Sequence, residues 1–414
     1  MGALMNPARN VMPGGTSRRR LLRAAASGAG LALLGAGAVG CDDPEGGATR
    51  SEDSKPAAGA GSSAPADGQA PAPLWQVTTT AQTYGGDDSL VVVDGVVIAI
   101  GDPLVGWDAA TGKKRWSREG VTVPGAPLLV GKGRLYLASG QYDGNIVALD
   151  PATGQEVWRS RLGNGFAHPR PVAVDDTAVY MVATIIENGV RTKTNVIAAI
   201  DSTSGKVLWR EQRDTGTEEN GISASVRGKT LVYTDFRKNL TVRDTVSGKQ
   251  VWTQKLGKTN YDRFAVHEDL VIVSQGRDLR AFALADGAER WTLRTEEFTN
   301  FQPPAVLEGV LYVSDSSHAQ WAVDPATGRK IWHRPVPADE QAAAAWQFAR
   351  SGGTLFGATD LDEHGGVHAF DARTGTRRWT YNDKSGALDA WYVAAEGKRV
   401  FALHDRKLTA LPAS

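Results

Sequence analysis

One eleven-residue phrase recurs along this chain, and its recurrence restricts the fold more than any other feature. It reads ALDPATGQEVW at 148–158. Near-copies are GWDAATGKKRW (106–116), AIDSTSGKVLW (199–209), VRDTVSGKQVW (242–252), AVDPATGRKIW (322–332) and AFDARTGTRRW (369–379). A further copy, AFALADGAERW, has Ala283 where the others place Asp but keeps Gly287 and Trp291. The Asp can accept a backbone hydrogen bond from two residues on, which starts a tight turn. The Gly supplies the positive φ that ends a short hairpin loop. Apolar and polar residues alternate on both sides, as they do in strands.

A Trp falls fourth after the Gly each time: Trp116, Trp158, Trp209, Trp252, Trp291, Trp332 and Trp379. The spacings are 42, 51, 43, 39, 41 and 47 residues. A period near 43 with about four short strands per unit is the signature of a β-propeller. The other strands lie upstream, in SLVVVDGVVIAIG (89–101), TLVYTDFRKNLTV (230–242) and AVLEGVLYVSD (305–315). Trp75 stands 41 residues before Trp116, in register but with no repeat before it, and the chain ends in KRVFALHDRKLTALPAS, which has strands but no Trp. Joining the two gives an all-β, eight-bladed propeller, its ring closed by the strand at Trp75 entering the C-terminal blade. The eight Trp residues share one structural position and are expected to pack blade against blade. Function is then expected where the repeats differ.

The 414-residue chain has no net charge, but residues 1–40 hold five Arg and no acid. The segment 42–73 carries two basic and six acidic residues, and the remainder is nearly balanced. No basic field favours nucleic acid. Cys41 is the one cysteine, so no intrachain disulfide forms. The run SRRRLLRAAASGAGLALLGAGAVGC (17–41) reads as an export signal, too short and Gly/Ala-rich to span. Ser17-Arg18-Arg19-Arg20-Leu21-Leu22 resembles the twin-arginine signal, and Ala38-Val39-Gly40-Cys41 resembles a lipoprotein cleavage box with Ala38 where Leu is usual. The expected organisation is a removed signal (1–40), a lipidated Cys41 with a disordered linker (41–73), and a propeller (74–414) held outside the bacterial cytoplasmic membrane. A plain secretory signal with a spare Cys is the alternative.

The pattern Ala-x-Asp-x-x-Thr-Gly-x-x-x-Trp over 74–414 resembles the quinoprotein-like (PQQ-repeat) β-propeller family. That family includes quinone-dependent alcohol and glucose dehydrogenases, the lipoprotein propeller of the outer-membrane assembly machine, and extracellular parts of receptor kinases. The dehydrogenases clamp PQQ with adjacent cysteines over a Trp floor and hold calcium with Glu, Asn and Asp. Here no Cys follows Cys41, so that clamp is missing.

Loops leading into the innermost strands share a face with the middle hairpins, and variable loops on a rigid scaffold tend to carry function. They place His168, Asn220, Tyr261, Arg263, Phe301, Gln302, Trp346, Gln347, Asp389 and Trp391 at similar offsets near the central mouth. Aromatics mixed with amides and an Arg suit a sugar, a peptide end or a planar ring; the same residues could instead pack blade on blade. The hairpin TDLDEHGGVHAFD (359–371) lacks the third carboxylate and late Glu of a calcium loop and reads as a polar tip. The middle hairpin of 183–201 has a long tip, 187–195. No nucleophile elbow or zinc-protease motif appears. The expectation is a monomeric, non-catalytic, membrane-anchored binding or scaffold protein for a protein partner or small ligand. A PQQ-binding oxidoreductase and an outer-membrane assembly-like factor are the alternatives.

Overall fold

The computed structural model describes residues 68–81, 89–123, 126–163, 165–213, 222–234, 239–256, 263–335, 344–360 and 365–413. The Cys41 anchor, the export signal and most of the linker lie outside these residues.

Eight antiparallel sheets follow one another along the chain. Blades 1 to 7 are built from residues 90–118, 129–159, 166–213, 223–255, 264–294, 305–334 and 345–381, each with four consecutive strands. Blade 8 takes three strands from 392–412 and its outermost from Trp75–Thr78, which pairs antiparallel with Lys407–Pro412, Trp75 opposite Ala410. The ring is therefore closed by the N-terminal strand, as the register of Trp75 implied.

Burial explains why each strand occupies its position. Middle strands such as Val96–Ala99 and Ile146–Leu149 are buried on both faces, because each blade is covered by a neighbour on either side. Such strands read as continuous apolar runs. Outermost strands such as Lys114–Arg118 are mostly exposed, with the Trp buried and Arg118 half-buried, and their Lys and Arg residues discourage pairing with another chain's edge.

The eleven-residue phrase is the joint between blades. Asp108 Oδ1 accepts from the amides of Ala110 and Thr111 and from the Thr111 hydroxyl. Asp150, Asp201 and Asp371 repeat this arrangement. Each Gly, at φ between +66° and +74°, donates to the carbonyl four residues earlier. That bare Gly face receives the indole of the preceding blade, and the indole N–H donates to the carbonyl just after the Asp position. The pairs run Trp75 to Ala109 (3.1 Å), Trp116 to Pro151 (2.8 Å), Trp158 to Ser202 (3.0 Å) and Trp209 to Thr245 (2.7 Å). They continue with Trp252 to Leu284 (2.8 Å), Trp291 to Pro325 (3.0 Å) and Trp332 to Ala372 (3.1 Å). At about 25 cal/mol per Å², burying most of an indole contributes roughly 3–5 kcal/mol per joint.

Trp379 is different, because blade 8 draws its last strand from the other end of the chain and has no covalent turn there. It shares a hydrophobic cluster with Leu411 and Ala413, and Ala70 packs against that cluster. Gly68–Gln69 pairs in parallel with Trp379 and Thr380, making blade 7 five-stranded. This ordered piece precedes residue 74, inside the stretch assigned to the linker on composition.

A Cβ on Gly154 would lie 2.5 Å from the Trp116 ring, whereas one on Gly287, in the copy lacking the Asp, would lie 3.3 Å from Trp252. Both substitutions carry the strain of positive φ. The first also drives a Cβ into the indole and overpacks the joint, at about 1–3 kcal/mol, while at Gly287 the ring need give only a few tenths of an ångström. Urea unfolding of Gly154→Ala and Gly287→Ala should therefore show the former less stable by about 1–2 kcal/mol. Equal losses would mean the turn, not the indole, sets the cost.

Candidate functional site

The sequence places ten residues at the mouth, and the structure uses most of them to hold the ring together. Trp346 is buried; its indole N–H donates to the carbonyls of Thr359 (3.0 Å) and Trp391 (3.1 Å). The ring meets Tyr392 edge-on at 5.2 Å. Arg263 of blade 5 lies over that indole, its guanidinium carbon 4.7 Å from the ring centroid. Side chains of two non-adjacent blades thus meet at the inner edge of the ring, a cation–π contact. Trp391 is buried with one face stacked on His404 (4.0 Å, 4° between planes) and Tyr381 edge-on at 6.0 Å. Gln347 Oε1 accepts from the Val393 amide at 2.8 Å, tying blade 7 to blade 8. Phe301 is fully buried against Trp321, and Gln302 bonds through its backbone to Ser314 and Ser274. Asp389 is half-buried in the link to blade 8. Among the described members of the set, His168 alone is exposed. Asn220 and Tyr261 lie outside the described residues.

The physical reason is geometric. A loop entering the innermost strand runs between two blades, so its aromatics meet the neighbouring sheet before they meet solvent.

Sequence reasoning passed over a buried polar cluster in the link from blade 7 to blade 8. The Asp383 and His404 side chains are 3% and 4% exposed, with Oδ1 and Nδ1 3.2 Å apart. The Ser385 hydroxyl lies 3.4 Å from the same Nδ1, and Lys407 Nζ lies 3.6 Å from Asp383 Oδ2. Asp, His and Ser are the residue types of an acyl-transfer triad, but such a triad puts hydroxyl and carboxylate on opposite imidazole nitrogens. Here both converge on Nδ1, while Nε2 is buried without a hydrogen-bond partner. The cluster braces the link and activates no nucleophile. Its one sequence signal is the polar run Asn382-Asp383-Lys384-Ser385 before a strand start.

His368, considered with the polar hairpin tip, sits inside blade 7 with Nδ1 2.8 Å from the Thr380 hydroxyl. Burial, with the charges of Arg377 and His318, pushes its imidazole down to about 4, so it is neutral core. Among the described residues no group of three or more His, Cys, Asp or Glu could hold a metal ion. The mouth residues do not fit PQQ either. Trp346 and Trp391 are 5% and 1% exposed, with Arg263 over one ring and His404 stacked on the other, so neither offers an open face on which a quinone could stack.

Burial raises the Asp383 pKa, but bonds from Ser385 and His404 outweigh it and leave the carboxyl below its ordinary value. A carboxyl depressed in the folded state contributes stability above its unfolded pKa and loses it as pH falls through the folded one. Asp383→Asn should cost about 1–3 kcal/mol at neutral pH, and the gap to wild type should narrow as pH drops below about 4. Urea midpoints at both pH values check this; a gap independent of pH would mean the charge is irrelevant.

The family model described as outer membrane protein assembly factor BamB matches residues 117–224 and 193–361, together more than half of the chain. Among curated relatives, the outer membrane protein assembly factor BamB of Vibrio cholerae is 27% identical over 61% of this chain and 66% of its own length. The dehydrogenase subunit of alcohol dehydrogenase (quinone) from Gluconobacter oxydans is 23% identical over 74% of this chain and 41% of its own length. The chain thus spans less than two thirds of either relative. Among solved structures, quinohemoprotein alcohol dehydrogenase from Comamonas testosteroni superposes with a TM-score of 0.57 at 13% identity, covering 83% of this chain and 76% of that one. That likeness is one of fold.

Proposed function

Because the chain belongs to the PQQ-repeat β-propeller family described as outer membrane protein assembly factor BamB, we propose that it is an extracytoplasmic scaffold that binds a protein partner and performs no chemistry. One observation carries this reading. Tyr142 and Phe298 are 68% and 90% exposed, and both sit on the face formed by the lead-in loops and middle hairpins. Tyr142 is on the middle hairpin of blade 2 and Phe298 on the link from blade 5 to blade 6. Both hold positive φ, +56° and +64°, which is costly for a bulky side chain and is kept where surrounding structure enforces it. Val190, at the start of the second middle strand of blade 3, and Leu388, in the link to blade 8, are 67% and 54% exposed on the same face. Exposed aromatics on loops are the anchors around which protein interfaces form, and the described aromatics behind them, Phe301, Trp346 and Trp391, are buried in the chain's own packing. The partner's identity is where this chain and the named assembly factors would be compared.

A photo-reactive phenylalanine analogue at position 298 or 142, in the cells that make the protein, should trap one discrete protein. The same analogue at Val246, on the opposite face, should trap none. Phe298→Ala with Tyr142→Ala should abolish trapping from Leu388 while shifting the unfolding midpoint by only about 1–2 °C. Cross-links confined to position 246 would overturn the assignment of the binding face.

The scaffold is also proposed to be tethered through a lipidated Cys41 after removal of residues 1–40, with 42–67, the part of the linker stretch before the Gly68–Gln69 strand, as the spacer. A flexible chain of that length has an r.m.s. reach of roughly 30 Å, and acylation at one Cys with two or more chains anchors firmly. Cys41→Ala should shift the protein from the membrane fraction to the soluble exported fraction or leave it unprocessed. Membrane retention with normal processing would remove the lipid anchor from the account.

A further inference from the structure

Blade 3 stands taller than the others. Its middle strands, Ala178–Glu187 and Val190–Asp201, run ten and twelve residues, against four to six in the middle strands of the other blades. At about 3.3 Å per residue, the surplus carries the hairpin roughly 15 Å beyond its neighbours. Asn188 and Gly189 close it at φ +52° and +75°, the turn type whose twist matches the flanking strands.

The projecting part is biased in charge. Between residues 184 and 195 the chain carries Arg191 and Lys193 against Glu187 alone. Two residues apart on one strand, Arg191 and Lys193 point to the same side, and both are exposed. On the adjoining innermost strand, His168 sits in a β-bulge between Ala167 and Arg170, at φ +49°. Its Nε2 lies 2.8 Å from Arg191 Nη2. A guanidinium only donates, so Nε2 accepts and the imidazole is neutral, with its proton on Nδ1. Burial first, then the charges of Arg191 and Arg170, hold this histidine below its ordinary pKa. The bulge holds a neutral ring against a guanidinium, among cationic side chains with Glu187 as the one carboxylate between residues 184 and 195. Val190, at the tip beside Arg191, is an exposed apolar residue.

We propose that the projecting hairpin of blade 3 is a docking arm for an acidic segment of a protein partner, gripped by Arg191 and Lys193 beside His168, with Val190 as its apolar contact. This rests on the scaffold reading above and adds the partner's chemistry. Carboxylates match a guanidinium held in one orientation, and His168 fixes Arg191 in that way. A membrane surface fits less well, because attachment to anionic lipid takes a larger basic cluster or a broad apolar face. This arm offers two exposed cations and one exposed valine.

The test uses the full chain with a fluorescein-labelled decaglutamate, and with decalysine and a Gly-Ser decamer as controls. Decaglutamate alone should bind, and more weakly at about 200 mM than at about 50 mM salt. Reversing Arg191→Glu with Lys193→Glu should weaken it by about tenfold or more. Lys113→Glu with Lys114→Glu, on the opposite-face turn of blade 1, should leave it unchanged. The imidazole resonance of His168, identified by His168→Gln, should move on peptide addition, and those of His267 and His333 should not. No decaglutamate binding, equal loss from the blade 1 reversals, or an unmoved His168 would each overturn the proposal. So would phosphatidylglycerol vesicles that bind through Arg191 and Lys193 when the peptide does not. Positions 142 and 298 lie off the arm, so their cross-links report the scaffold reading independently: arm failure with those cross-links intact removes only the acidic-segment assignment.

Discussion

The structure depends on one contact made seven times: an indole laid on a glycine turn of the next blade, with its N–H bonded to that turn's carbonyl. Each element of the eleven-residue phrase serves it. The Asp shapes the turn, the Gly leaves the turn's face bare, and the Trp four residues on reaches the following blade. A repeat that touches only its neighbours has the stability of a linear array, with weak ends. Joining residues 75–78 to 407–412 removes the ends, so every blade has two neighbours. The blades' continuous apolar middle strands make sense only in that closed arrangement.

The fold was legible because its signals are periodic. Seven in-register Gly–Trp pairs fixed the blade count, and the displaced Trp75 disclosed the closing strand. The mouth was harder to read for the same reason. Trp346, Trp391 and Phe301 were identified from loop position and residue type, and neither says whether an aromatic ring meets solvent or the next sheet. That depends on how far the loop stands off, which only packing decides. Tyr142 carried a sequence signal of a different kind, a lone aromatic within a polar loop, whereas Phe298 lies three residues before the buried Phe301, and nothing in the local pattern separates the exposed ring from the core one. Asp383 and His404 are 21 residues apart, and their meeting follows from blade 8 folding back on its own lead-in loop.

The aromatic rings at the lead-in loops of blades 7 and 8 are covered by the chain itself. Arg263 lies on Trp346 and His404 on Trp391, so the inner edge of the ring is a structural element like the joints further out. The blades differ most beyond these contacts, in the height of blade 3 and the strained aromatic tips. A rigid ring can tolerate such additions because a longer middle hairpin extends along its own strand direction and leaves the joints untouched.

The pairing of Gly68–Gln69 with the edge of blade 7 has a mechanical consequence. It places two hydrogen-bonded residues upstream of the closing strand, on the side from which the preceding chain arrives. A pull transmitted along the backbone from that side meets this short parallel contact first and residues 75–78 only after it has released. The ring thus carries a small fuse ahead of its seam, one whose loss costs two residues of pairing and leaves all eight blades joined.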